Sequence, residues 1–321
     1  MMLFLALLAA LQGPVARMPA GADVLSAGRF TVVCMPGDAG LARHLLDDAV
    51  ANDTFPGLPR PQERVTVYVA PDEQRFREWA GGGFPEWGVA VAFPDEHRIV
   101  IQGRSANSSA GDPRTNLRHE LGHLSLHEFV GSLPPLWFDE GYASFVAREW
   151  TREQVLESSV VLALRGVPHF AALDTMIAGG AVRAERGYAL AQRAVADLAA
   201  RDPQHGLTYL FRDWMATRSL DAAMRSAYGV TLGGFEEEWR RTTRQRYGAL
   251  ALFADVGFVS LVFFVIVGPF WLARRRRDRA RLAAMRAADE EAARRKASET
   301  LDLLLGNVEQ TGGNEDQIKR R

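Results

Sequence analysis

Two histidines four residues apart, with a glutamate directly after the first, constrain the middle of this chain most. Over residues 117–127 the sequence reads L-R-H-E-L-G-H-L-S-L-H. In a helix, side chains at i and i+4 share a face, so the imidazoles of His119 and His123 can reach one ion. Glu120 adjoins the first histidine and projects where it can take a proton from metal-bound water rather than act as a ligand. A catalytic zinc takes three protein groups and keeps one position open for water. Pro134-Pro135-Leu136 interrupts the chain after this helix, and Trp137-Phe138-Asp139-Glu140-Gly141-Tyr142-Ala143 begins another, with Glu140 17 positions after His123. A helix, a proline turn and a returning helix would bring that carboxylate back over the imidazole pair. The competing reading leaves Glu140 as a solvated helix-surface glutamate.

Around this pair the chain reads as one domain over 21–247, with no internal repeat. Arg64-Val65-Thr66-Val67-Tyr68-Val69 alternates like a strand, 72–79 is helical in pattern, and 88–93 with 98–102 predicts a hairpin around Pro94-Asp95-Glu96. From Thr115 onward the pattern is almost all helix. That segregation predicts an α+β fold, a small mixed sheet followed by a helical half. With 47% hydrophobic and 24% charged residues, disorder is not the default for the chain. A formal net charge of -1 gives no basic surplus to attract nucleic acid. Cys34 is the single cysteine, which excludes an intramolecular disulfide and a cysteine-based zinc site.

Both ends carry membrane signals. Residues 1–11 are almost entirely apolar and run into Gln12, Gly13 and Pro14. That is the length of a signal-peptide core, and 1–20 is expected to be a signal peptide although a basic start is missing; a buried strand or helix start is the alternative. Near the other end, 256–273 is an uncharged apolar run, about 27 Å long at ~1.5 Å per residue, expected to lie in a transmembrane helix over 249–273. Arg274-Arg275-Arg276-Arg277 follows it, which favours a cytoplasmic tail and an extracytoplasmic domain, although Arg240, Arg241, Arg244 and Arg246 blunt that bias. The tail from 274 to 321 holds 13 Lys/Arg against 9 Asp/Glu. Its first part has helical spacing, as a short coiled coil with a helix partner or as a solvated juxtamembrane helix, and 306–321 is expected to be disordered.

The combination of H-E-L-G-H with L-P-P-L-W-F-D-E-G-Y-A-S-F resembles the gluzincin zinc metallopeptidases, specifically the peptidase MA-like domain family, and more distantly the aminopeptidase N-type enzymes. The resemblance covers most of 64–247 and implies a zincin-like fold. It also implies one Zn2+ held by His119, His123 and Glu140, with Glu120 as general base. Arg186-Gly187-Tyr188-Ala189-Leu190-Ala191 resembles a family helix start, which by analogy makes Tyr188 a hydrogen-bond donor to the developing oxyanion; a purely structural tyrosine is the alternative. His127, one turn beyond His123, cannot complete a tetrahedral site and is read as a supporting or surface residue. The G-x-M-E-N element by which the aminopeptidase branch captures a free amino terminus is missing before His119. Exopeptidase specificity is therefore unsupported, and the segment 98–102 is the candidate edge strand for an extended peptide.

These readings converge on a membrane-anchored zinc endopeptidase acting on peptide or protein substrates. The rivals are a non-catalytic anchored binding or scaffold protein on a peptidase fold, and a small-molecule amidase using the same zinc chemistry. Another divalent ion could replace zinc, although two imidazoles and a carboxylate suit zinc well.

Overall fold

The computed structural model describes residues 19–81, 88–103, 111–131, 134–149 and 166–318. The chain divides into two compact units, Met1–Leu252 and Phe253–Arg321. The expected signal peptide lies, except for its last two residues, outside the described residues.

The first unit opens with a five-stranded sheet: β1 (Asp23–Ala27), β2 (Phe30–Cys34), β3 (Val65–Ala70), β4 (Ala90–Phe93) and β5 (Arg98–Gln102), in the order β1-β2-β3-β5-β4. The three central strands are parallel, and β1 and β4 flank them antiparallel. Helix α1 (Ala39–Ala51) carries the chain from β2 to β3, and α2 (Glu73–Ala80) follows β3. Alternation along the strands sorts the faces. Val65, Val67 and Val69 join Phe30, Val32, Ile99 and Ile101 in the main core with α1, whereas Val100 and Tyr68 meet Phe76 of α2. The expected hairpin is present, with Pro94–Glu96 as a short 3-10 turn and His97 in the left-handed region at φ 45°.

One expectation is corrected by this order. The segment 98–102 is not an edge strand: β5 pairs with β3 on one side and β4 on the other, and all five of its residues are buried. The outermost described strand on that side is β4. A continuous apolar run such as Ile99-Val100-Ile101 belongs where both faces of the sheet are covered, and that places it inside.

The helical half is built around α3 (Pro113–Val130) and α4 (Leu136–Ala147). Asp112 caps α3 by accepting from the Arg114 amide, Pro113 occupies the first turn, and Gly131 closes the helix at φ 63°. Helix α4 has Pro135 before it and so lacks a capping side chain of its own; Asp174, from α5 (Phe170–Ile177), accepts from the Trp137 amide at 2.7 Å instead. Trp137 stacks on Phe170 with centroids 3.9 Å apart, and the Tyr142 hydroxyl donates to the Pro56 carbonyl at 3.0 Å. Helices α6 (Ala181–Ala200), α7 (Thr208–Thr217) and α8 (Leu220–Tyr228) complete the bundle around α4 with the first part of α9 (Leu232–Ile318). Small α+β sheet and helical remainder thus appear as expected.

The second unit is the continuation of α9. Among the described residues no helix is long and apolar enough to cross a membrane, so the transmembrane helix expected over 249–273 finds no support here. Residues Leu261, Phe263, Phe264, Val265, Ile266, Phe270 and Trp271 are exposed on α9. Helix also continues through Gly306 to Ile318, where a disordered end was expected; no proline after Pro269 stops it.

Candidate active site

Helix α4 packs closely on α3 at one glycine and on α6 at another. A Cβ on Gly122 would lie 3.0 Å from the Ala143 Cα, and one on Gly141 would lie 2.5 Å from the Ala191 carbonyl oxygen of α6. These two positions let the backbones approach, and the approach carries Glu140 over the histidines. The Nε2 atoms of His119 and His123 are 3.2 Å apart, and Glu140 Oε2 lies 3.4 Å from the first and 3.6 Å from the second. A tetrahedral ion with ~2.0–2.1 Å bonds has ligand atoms about 3.4 Å apart, so the triangle is the right size for zinc. Among the described residues these three form the one cluster able to hold a metal ion. Glu120 is 9% exposed and faces the Ala92 amide of β4, which brings the outermost described strand beside this carboxylate.

The ligands are themselves held. His123 Nδ1 is 2.7 Å from Asp139 Oδ1, and His127 Nε2 is 2.9 Å from Asp139 Oδ2. Burial raises the Asp139 pKa, but His123 and then His127 outweigh it and hold the group well below the usual carboxylate range. An ionised carboxylate only accepts, so both rings donate to it, and His123 presents its Nε2 lone pair to the ligand triangle. His119 Nδ1 is less well served: Glu149 Oε1 lies 3.5 Å away, outside good hydrogen-bond geometry, and acts as a nearby charge.

Charge in the pocket is arranged for a cation. Burial pulls His119 down, yet Glu140 and Glu149 overcome it and hold the imidazole up at about 9. Burial likewise works against His123, and Asp139 and Glu140 carry it well above its usual value. Glu140, which burial alone would raise, is drawn down to about 2 chiefly by His123 and His119. Without metal, protons therefore sit on the imidazoles; a divalent ion replaces them with a charge the carboxylates already face. Glu120 goes the other way, pushed up mainly by desolvation, which makes its carboxylate a better proton acceptor.

A sequence model of the Peptidase MA superfamily matches residues 48–245, from α1 into α9. The chain belongs to the Peptidase MA superfamily. Members of this superfamily are generally zinc-dependent, and the matched region of this peptidase MA domain holds His119, Glu120, His123 and Glu140. Nothing among curated proteins matches the chain, and the wider likeness to aminopeptidase N-type enzymes is not shown.

Tyr188 is not at a helix start. Helix α6 begins at Ala181, so the tyrosine stands two turns inside it, partly buried against the core and one turn before Ala191, whose carbonyl abuts Gly141. The helix starts early because Gly180 provides the extended residue that opens it. Asp139 and Glu149 were not singled out from the sequence. The one signal for Asp139 was its position directly before Glu140, and neighbours on a helix point about 100° apart, which hides a shared site.

Asp139→Asn should weaken zinc binding about 10–100-fold, because the amide lacks the charge that fixes both histidine rings. Competition against a chelating dye reads the affinity; an unaltered constant would mean that Asp139 does not orient His123.

Proposed function

We propose that this chain is a membrane-anchored zinc metallopeptidase that hydrolyses internal peptide bonds with Glu120 as general base. The observation that carries the reading is the His119–His123–Glu140 triangle of zinc dimensions with Glu120 beside it. Zinc bound by three protein groups supplies an acidified water and a Lewis acid for the scissile carbonyl. Glu120 accepts the water's proton and returns it to the leaving amine. Asp139 and His127 keep His123 in its ligating tautomer. Tyr188, as a neutral phenol on the helix packed against Gly141, donates to the oxyanion.

The substrate is an extended peptide laid along β4. Support comes from the position of β4 as the outermost described strand and from its Ala92 amide beside Glu120, which brings a strand-paired backbone past the base. Such pairing uses main-chain groups and gives little side-chain preference. Full-length protein loaded with zinc should cleave unfolded casein, lose the activity to a chelator and regain it with zinc. Stoichiometric zinc with casein and peptide substrates left intact would reduce the chain to a binding domain on a peptidase fold; hydrolysis confined to non-peptide amides would make it an amidase.

Anchoring rests on the apolar run 256–273, on the four arginines from Arg274 and on the exposure of Phe263, Phe264, Ile266 and Phe270. Aromatic and aliphatic side chains displayed together on a helix call for an apolar surrounding. With the basic tail inside, the zinc site faces outward. The full chain should stay in the membrane pellet after alkaline carbonate and leave it only with detergent. Release by carbonate alone would rule out a spanning helix.

A further inference from the structure

Helix α4 closes on an arginine where glycine is the favoured residue. Arg148 is left-handed at φ 56°, and the amides of Arg148 and Glu149 fold back onto the Phe145 and Ser144 carbonyls at 3.3 and 3.2 Å. Glycine suits this position because it has no Cβ to crowd the following carbonyl, and Gly131 and Gly229 stand there at the ends of α3 and α8. A helix C-terminus favours a cation, but an arginine inside the last turn would supply one without the left-handed backbone. Arg218 ends α7 in the same conformation and has a visible use, since its guanidinium donates to the Val130 carbonyl at 2.8 Å. The Arg148 side chain is exposed and makes no hydrogen bond or ion pair to the described residues.

Arg148 instead lines a cavity of about 420 Å³ between the end of α4, the segment that follows α1 and the first half of α3. Arg118 is the second cation there. It is partly exposed, lies over the Phe55 ring at 4.4 Å and donates to the Asn52 and Thr54 carbonyls. Those acceptors are uncharged and leave other donors of the guanidinium unused. Among the described residues no carboxylate lines the cavity. Burial lowers the Arg118 pKa and Arg148 lowers it further, while Asp48 and Asp53 act in the opposite sense from outside the lining. Asp53 is already bound to Arg29 and Arg60, and Asp48 accepts from Asn52. Two guanidiniums therefore share this space with no carboxylate bound to either.

That arrangement calls for an anion, and the guanidinium fork matches a carboxylate. The end of α4 carries the partial negative charge of its last carbonyls, which favours a singly charged carboxylate over a phosphate dianion. Phe145, partly buried, and Pro56, exposed, add an apolar wall. The volume falls in the lower part of the range of small-molecule sites, about 300–1,000 Å³. We propose that this cavity binds an organic carboxylate with an apolar body, the carboxylate held by Arg148 and the remaining donors of Arg118, the body resting on Phe145 and Pro56. Such a carboxylate comes from a free organic acid or from the C-terminus of a short peptide. None of the lining residues belongs to the ligand triangle, so the site is separate from the zinc chemistry.

Calorimetric titration of the zinc-loaded full-length protein in a nonionic detergent distinguishes the sources. The probes are hydrocinnamate, acetate, inorganic phosphate and N-acetyl-glycyl-glycyl-phenylalanine beside its C-terminal amide. Saturable binding of hydrocinnamate at least as tight as that of the peptide identifies a free acid; tighter binding of the peptide, lost on amidation, identifies a C-terminus. In either case Arg148→Gln weakens binding about tenfold, and Arg148→Lys, which keeps the charge, recovers part of it. Arg148→Gln also retains its zinc, which separates this loss from any at the metal. Without ligand Arg148→Gly melts no lower than the parent, because glycine takes the left-handed position freely. A marked fall in that melting temperature would assign the arginine to the fold and overturn the proposal. Undiminished binding in Arg148→Gln overturns it too, as do equal binding of acetate and hydrocinnamate, tighter binding of phosphate, or no binding by any probe.

Discussion

Glu120→Gln is expected to retain a full complement of zinc while casein cleavage falls about 10²–10⁴-fold, the usual contribution of a positioned general base. The substitution is nearly isosteric, and the glutamine carbonyl oxygen can still face the Ala92 amide, so the pocket has no reason to rearrange. Glu120 is not one of the three groups in the ligand triangle, and its removal leaves His119, His123 and Glu140 in place. What goes is the proton acceptor. Desolvation has raised the pKa of that carboxylate, which suits it to accept a proton. Zinc determined by atomic absorption on the same sample used for the cleavage assay makes the comparison direct. A variant as active as the parent would take Glu120 out of the mechanism. Glu140→Gln provides the contrast, since it should lose zinc first and activity as a consequence.

The largest effect on stability is expected from Gly141→Ala. A Cβ at this position would come within 2.5 Å of the Ala191 carbonyl oxygen and 2.7 Å of its carbon, both backbone atoms that a side-chain rotation cannot move. Alanine is the better helix former by about 1 kcal/mol. Overpacking against backbone costs about 1–3 kcal/mol or more, so the loss wins over the gain. For a domain of this size each kcal/mol is worth about 2–4 °C, and the first unit should melt several degrees lower. Pushing α4 from α6 also shifts Glu140, the preceding residue, so zinc affinity should fall along with the melting temperature. Gly233→Ala serves as a control, because a Cβ there meets nothing within 4 Å. If Gly141→Ala melted like that control, the close helix crossing would not be the reason for glycine.

Much of the metal site was legible because it is local. His119, Glu120 and His123 are related by helix geometry alone, and α3, from Pro113 to Val130, provides the helix that the reading assumed. The hairpin was equally plain, since Pro94-Asp95-Glu96 separates two apolar stretches and the turn forms there. Glu140 was reached by a longer argument, through a proline turn and a returning helix, and it too arrives. The edge strand was misplaced. Both Ala90–Phe93 and Arg98–Gln102 read as strands of one hairpin, and local pattern does not say which of them pairs again on its far side. The placement of Tyr188 went wrong for a related reason: helical periodicity shows where a helix runs better than where it begins, and Gly180 opens α6 well before Arg186.

By itself the sequence determined the ligand face of α3, the existence of a second helix bearing Glu140, and the α+β order of the elements, because each depends on residues within a few turns of one another. Only the tertiary structure decided that Asp139 binds two histidines at once, that Asp174 caps α4 in place of a missing local cap, and that β4 lies outermost beside Glu120. Those contacts join segments separated by 12 to 37 positions. Spacing along a chain sets the angle of a side chain about its own helix or strand; which elements then meet is a property of how their apolar faces pack together, and that is settled by the whole fold at once.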